Sequence, residues 1–406
     1  MLAASLLCCV GSIAVWSLAA GRLEAWRVSP ALVLAVLGAA VGLFVRPEII
    51  EVLDFPVTEQ IIELILATLL FSDAIAVRGR MLGSSPAVSS RLLFVALPLS
   101  LALAAAVGVL VLPGHPVALA VVIACIVMPT DLSPAPTILA EARLPLRVRS
   151  ALNVESGLND GIVAPVFAVA LAAVTTSSAG SDPGSESGSA VLAEALGASA
   201  VALAVGLGTG IAYGLLVRVA RARGWSEDTA IRIGMLAVPL TTYCIAVLLD
   251  GNGFVAAFVS GVAVHLILRE ETEQFTGFTK DVVETTSLGL WFVFGVLAGV
   301  VFFSGVDWPV VVVSVLALTL LRLIPVGLAL VRSGTTGAER FALSLLGPRG
   351  VTSLVFGLLA VNAIDDDTTL ITVLQIMVLT VSVSLLLHGI GAAPVARRLF
   401  PPAPRG

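Results

Sequence analysis

Hydrophobic residues in this chain come in blocks close to 20 residues long, divided by short stretches that carry most of the charge. A helix needs about 20 apolar residues to cross about 30 Å of hydrocarbon. Alternating segments of about 10 residues, the mark of a membrane β-barrel, are not visible. The pattern predicts an all-α polytopic membrane protein with about thirteen transmembrane helices. They fall at 2–20, 29–45, 58–77, 90–112, 116–140, 150–174, 190–217, 229–249, 252–268, 285–304, 309–331, 340–362 and 368–390.

Two of these spans are interrupted. The fifth contains M-P-T-D-L-S-P-A-P, with Pro129, Pro134 and Pro136 around Thr130 and Asp131. The twelfth contains L-G-P-R-G, with Pro348 between Gly347 and Gly350 and Arg349 beside it. Proline removes an N–H and clashes with the preceding turn, so each span is expected to unwind at its centre. Unwound backbone at membrane depth is tolerated only against protein or a wet cavity. A single proline kink is common and bland in membrane helices. Two kinks with a charge at each centre, in spans of opposite direction, point to an inverted-repeat transporter. The repeats would be about 1–174 and 229–390, with 190–217 as connector. Together they make a single transmembrane domain of residues 1–398, with a short cytoplasmic tail at 399–406.

The sixth span carries N-V-E-S-G-L-N-D-G-I-V-A-P-V, Asn153 to Val166. A carboxylate near the bilayer centre costs about 2.5–3.5 kcal/mol on insertion scales and marks a functional site by default. On a helical wheel Glu155, Ser156, Asn159 and Asp160 fall within an arc of about 140°. Oxygen ligands on one face suit a small hard cation or a proton.

Five charges lie near span centres: Asp131, Glu155, Asp160, Arg322 and Arg349. Three acids against two arginines leave one negative charge, which one proton or one monovalent cation neutralises. Unwound helix ends expose dipoles, positive at N-termini and negative at C-termini. Asp131 is placed to balance the former and Arg349 the latter. Glu155 is expected to pair with Arg322, because an unpaired buried charge is expensive. Asp160 is then the carboxylate left to trade a proton for a cation. Desolvation disfavours its charged form, so both forms are accessible near working pH. Asn159 is expected to donate to Asp131 and hold the broken span, with Thr130 and Ser156 as neutral oxygens. Asp73, near the end of the third span, either supports the site or pairs with Arg78 or Arg80. His115, His265 and His388 lie at loops or span ends and read as structurally incidental. Asp365-Asp366-Asp367 reads as a solvated turn, Gly251-Asn252-Gly253 as a turn signal, and Ser177 to Ser189 as a flexible acidic linker.

Composition agrees with the pattern. Of 406 residues 58% are hydrophobic and 12% charged, with a mean hydropathy of +1.08. Soluble domains carry about a quarter charged residues. With the N-terminus outside, the cytoplasmic loops and tail hold 19 of the 22 basic residues, and the outer loops hold only Arg46. That asymmetry supports a multi-pass protein of the cell membrane with an odd number of spans, N-terminus outside and C-terminus cytoplasmic. The N-terminus lacks a basic region, so Leu2 to Ala20 reads as a first span and not a cleaved signal. The net charge of −5 says little about partners beyond the bilayer. Cys8, Cys9, Cys125 and Cys244 show no metal-ligand spacing. No H-E-x-x-H and no Ser/His pair lies within the membrane, which argues against an enzyme. No cofactor and no nucleic-acid partner is expected.

Several of these stretches are similar to motifs of one family. L-F-S-D-A (Leu70 to Ala74), P-T-D (Pro129 to Asp131) and E-S-x-x-N-D (Glu155 to Asp160) resemble its third-, fifth- and sixth-span signatures. G-N-G-F-V-A-A-F-V-S-G (Gly251 to Gly261), W-F-V-F-G (Trp291 to Gly295), G-P-R-G-V-T-S-L (Gly347 to Leu354) and His388-Gly389 also fit. The chain resembles the monovalent cation:proton antiporter-1 family, the NhaP-type sodium/proton antiporters related to animal sodium/hydrogen exchangers. The resemblance implies an antiporter fold working by alternating access, and usually a homodimer. It implies that Asp160 carries ion and proton in turn, helped by Asp131, Ser156 and Thr130. Glu155 and Asn159 would support it. The electrogenic branch typically has two adjacent aspartates and a membrane lysine. Here position 159 is Asn and the single lysine, Lys280, lies in a loop, which favours electroneutral exchange. Leu132-Ser133-Pro134 replaces the usual small-residue continuation after P-T-D. The expected function is exchange of Na+, with Li+ as a congener, for H+. Potassium/proton exchange and a non-transporting sensor or scaffold on the same fold are the alternatives.

Overall fold

The computed structural model describes residues 2–26, 28–43, 56–76, 82–178 and 188–401. Among them there is no strand. Arg27, Arg46, Arg78, Arg80, Arg405 and linker residues 179–187 lie outside the described residues.

Among the described residues, eight helices are long and apolar enough to cross a membrane: Leu6–Ala25, Pro86–Val111, Leu146–Thr175, Leu196–Ala222, Asp228–Leu248, Gly277–Ser304, Trp308–Ala329 and Asp367–Gly389. Four apolar helices among the same residues are shorter: Pro30–Gly42, Val117–Val127, Gly253–Leu268 and Val351–Ala363. With Pro56–Ala76 they fill the thirteen expected segments. The chain is a multi-pass membrane protein. Its exposed leucines and tryptophans, among them Leu18, Leu110, Leu248 and Trp308, are the surface that lipid requires.

Both expected interruptions are present. The fifth segment is non-helical from Met128 to Pro136, between Val117–Val127 and Thr137–Ala140. The twelfth is non-helical from Leu346 to Gly350, between Gly337–Leu345 and Val351–Ala363. Two further irregularities were not anticipated, one of them just before Pro98 and one with no glycine or proline beside it. A π-helical turn occupies Leu92–Ala96. The eleventh segment breaks at Thr319 (φ −123°, ψ −100°), dividing Trp308–Leu318 from Leu320–Ala329.

The chain divides into two compact units. One comprises 1–55, 82–159 and 287–406, and the other 56–81 and 160–286. The second unit packs around Phe71, Met235, Val264 and Phe275. Gly206, Gly210 and Gly214 of helix Gly188–Ala222 lie directly against Ala256, Ser260 and Ile267 of helix Gly253–Leu268. Small residues four apart let two membrane helices approach closely, where dispersion replaces the absent hydrophobic drive. The first unit has its own core around Val88, Leu92, Leu152, Leu330, Leu343 and Ala396. It contains both interrupted segments.

Candidate functional site

Breaking a helix strips backbone groups of their partners, and at membrane depth each must find another. The two breaks supply one another. Asp131 N–H donates to the Pro348 carbonyl (2.9 Å), and Val351 N–H donates to Asp131 Oδ2 (2.9 Å). Val351 is the first residue of helix Val351–Ala363. Asp131 thus sits at a helix N-terminus, where the dipole favours an anion. Ser133 N–H and Ser133 Oγ–H each donate to the same carboxylate at 2.7 Å. Gly350 makes the approach feasible, because a Cβ there would collide with Asp131 Oδ2.

The first part of helix Leu146–Ser178 lines the fifth-segment break. Ser156 Oγ accepts from Leu132 N–H at 3.0 Å. Asn159 is fully buried, and its Nδ2 donates to the Thr130 carbonyl (2.8 Å) and to Thr130 Oγ1 (3.1 Å). The sequence directed this amide at Asp131, and the structure corrects that. The amide holds the neighbouring Thr130, leaving the Asp131 carboxylate to the twelfth segment. Asn159 Oδ1 accepts no hydrogen bond among the described residues. Asp160, the next residue on the same helix, is 1% exposed and begins the second unit. Asp73, partly buried, lies in helix Pro56–Ala76 of that unit.

Glu155 and Arg322 form a buried two-pronged pair, Nη1 to Oε1 at 2.7 Å and Nη2 to Oε2 at 3.1 Å. Nη2 also donates to the Leu343 carbonyl (3.1 Å). Arg349, fully buried, serves helix ends. Nη1 donates to the Gly347 carbonyl and Nη2 to the Ala317 carbonyl, each at 3.0 Å. Ala317 lies in the last turn of Trp308–Leu318, so the break at Thr319 exposes its carbonyl. The unwound backbone, the carboxylate and the two arginines thus form one connected lattice, with the oxygens of Thr130, Asp131 and Ser156 gathered at the helix crossing.

Residues 10–398 match the family model described as sodium/hydrogen exchanger, transmembrane. The chain belongs to this family. Its members are transporters of monovalent cations and protons, not enzymes. No curated protein sequence matches the chain. Two solved structures share the fold. One is the sodium proton antiporter MjNhaP1 from Methanocaldococcus jannaschii at pH 8, with a TM-score of 0.77 and 18% identity, covering 98% of this chain and 100% of that one. The other is a map of the same antiporter, with a TM-score of 0.72 and 18% identity over 100% of both chains.

One participant escaped the sequence reading. His388 is buried and pairs with Ser384 inside the thirteenth span, which corrects both the reading of it as incidental and the expectation of no Ser/His pair within the membrane. Its Nε2 lies 2.9 Å from the Leu345 carbonyl, and its Nδ1 lies 3.1 Å from Ser384 Oγ and 2.9 Å from the Ser384 carbonyl. Ser384 Oγ accepts the Arg349 N–H at 2.8 Å. A histidine and a serine four apart in an apolar helix were the available signal.

Proposed function

We propose that this protein exchanges one monovalent cation, Na+ with Li+ as a congener, for one proton across the cell membrane by alternating access. Asp160 is the carboxylate that takes cation and proton in turn. Asp131, Ser156 and Thr130 complete the cation's oxygen set. Asn159, Glu155, Arg322 and Arg349 hold the frame, and Asp73 supports it from the third segment. The observation that carries this reading is the crossing of two interrupted helices, which gathers neutral and anionic oxygens beside the helix that continues into Asp160. Hard cations take oxygen ligands, and a buried carboxylate near the bilayer centre is a functional group by default. One carboxylate serving two competing ions gives a one-for-one, electroneutral cycle. The inverted repeats at 1–174 and 229–390, a homodimeric assembly, and a membrane orientation with the N-terminus outside belong to the same reading.

The test is transport in proteoliposomes with an internal pH dye. A Na+ or Li+ step should move protons in the wild type and not in Asp160→Asn of equal folded content. Wild-type vesicles that respond to no cation would overturn the proposal. A response to K+ in preference to Na+ would reassign the substrate. Unchanged function in Asp160→Asn would point to a sensor or scaffold.

A further inference from the structure

An unbroken α-helix joins the carbonyl of residue 345 to the N–H of residue 349. The twelfth-segment break separates that pair. The Leu345 carbonyl takes a short-range bond from Gly347 N–H (3.0 Å), and it and the Arg349 N–H are in addition tied through a relay on helix Asp367–Leu399. Arg349 N–H donates to Ser384 Oγ (2.8 Å), Ser384 Oγ meets His388 Nδ1 (3.1 Å), and His388 Nε2 meets the Leu345 carbonyl (2.9 Å). A carbonyl only accepts, so Nε2 carries a proton toward Leu345; Nδ1 stands against both the Ser384 hydroxyl (3.1 Å) and the Ser384 carbonyl (2.9 Å). Ser384 Oγ thus takes the Arg349 N–H and touches the ring that holds the Leu345 carbonyl. The two residues are four apart, so they stand on one face of an intact helix. They match two backbone groups that are also four apart on the broken one.

We propose that Ser384 and His388 splice the interrupted twelfth segment, and that His388 is thereby a positioning residue for Asp131. Leu345 and Arg349 are pinned from the thirteenth segment. Between them lies Pro348, whose carbonyl takes the Asp131 N–H. Two residues beyond lies Val351, whose N–H holds Asp131 Oδ2. Both of the twelfth segment's bonds to Asp131 therefore depend on a stretch that this relay keeps in shape. The inference rests on the reading of Asp131 as a cation ligand given above.

The test compares His388→Leu, which removes the relay, with His388→Gln, whose side-chain N–H reaches the same distance along the chain as Nε2. Ser384→Ala is the third arm. The first readout is cation-driven proton flux against Na+ concentration at fixed pH. His388→Leu should raise the Na+ KM about tenfold with maximal flux changed far less, since one buried hydrogen bond is worth roughly that factor. His388→Gln should return KM to within about threefold of wild type, and Ser384→Ala should fall between. The second readout, independent of transport, is amide hydrogen exchange over 345–352 in the purified protein. It should quicken about tenfold in His388→Leu and stay near wild type in His388→Gln. An unchanged KM in His388→Leu overturns the positioning role, as does a lower yield of protein with wild-type KM. Unchanged amide exchange overturns the splice. Wild-type vesicles without cation-driven flux overturn the transport reading, and the positioning role with it, while amide exchange still decides the splice.

Discussion

Replacing Glu155 by glutamine changes one atom in a buried pair and leaves the arginine opposite without its counter-charge. Arg322 has three oxygens in reach: both carboxylate oxygens of Glu155, at 2.7 and 3.1 Å, and the Leu343 carbonyl at 3.1 Å. Both side chains are almost wholly buried, at 3% and 6% exposure, so solvent does not screen the loss. Removing one partner of such a pair destabilises by about 3–5 kcal/mol, because an uncompensated charge remains. Glutamine still offers one acceptor to Nη1, which places the variant near the lower end. Native proteins are stable by only about 5–15 kcal/mol, so even 3 is a large share. Glu155→Gln is therefore expected to lower the melting temperature in detergent markedly. The double variant Glu155→Gln, Arg322→Met, which removes both charges, should recover most of that loss. Purified protein followed by intrinsic tryptophan fluorescence on heating gives the comparison. Folded Glu155→Gln in vesicles should keep a Na+ KM within a few-fold of wild type. A variant that melts like wild type but has lost cation-driven flux would refute the reasoning and move Glu155 from the frame into the ion path.

Other substitutions probe the crossing directly. Gly350→Ala places a Cβ against Asp131 Oδ2, so it should weaken apparent Na+ affinity by tenfold or so; flux titrations with an unaltered KM would contradict this. Asn159→Ala removes two donors from Thr130, at 2.8 and 3.1 Å. It should lower stability by about 1–3 kcal/mol, read as a shift in the thermal melt. Where proton and cation compete for one carboxylate, apparent Na+ affinity should fall about tenfold for each pH unit below the carboxylate's own pKa; a pH-independent KM across pH 5–8 would exclude a shared site. A one-for-one exchange moves no net charge, so flux should be the same with and without an imposed membrane potential, checked with a potassium gradient and valinomycin.

The thirteen segments were legible because lipid allows a chain few alternatives. Backbone groups must be paired within a helix, so crossing segments declare themselves by length and apolar content. The two functional breaks were legible through Pro129, Pro134, Pro136 and Pro348, whose missing N–H groups leave local gaps that any reader of the chain can find. The pairing of Glu155 with Arg322, 167 residues apart, followed from charge economy alone, since few partners exist inside the membrane. Three details were not legible. The Thr319 break lies between two leucines with no glycine or proline beside it, and it becomes intelligible only once Arg349 is seen on the Ala317 carbonyl. The target of Asn159 was misplaced by one residue, because a wheel gives direction but an unwound partner has no fixed period. His388 was passed over because its partner, the Leu345 carbonyl, loses its regular helical partner only at a break 43 residues earlier in the chain.

The lattice also bears on why position 159 is an amide. Each fixed charge at the crossing has an answer built into the fold. Asp131 faces the Val351 N–H and the two donors of Ser133, Arg349 faces the carbonyls of Gly347 and Ala317, and Glu155 faces Arg322. None of these needs a transported ion to balance it. An aspartate at 159 would add a second carboxylate beside Asp160 and would take away the N–H donors that hold Thr130. Two adjacent carboxylates resist ionising together. A single protonation would then leave one negative charge, and the cycle would carry unequal charge unless a further cation entered. With asparagine in place, the frame is neutral and held by hydrogen bonds. On the proposed reading, only the charge state of Asp160 varies through the cycle. The amide ties the unwound fifth segment to the sixth, and on the same proposed reading it also keeps the number of exchangeable charges at one.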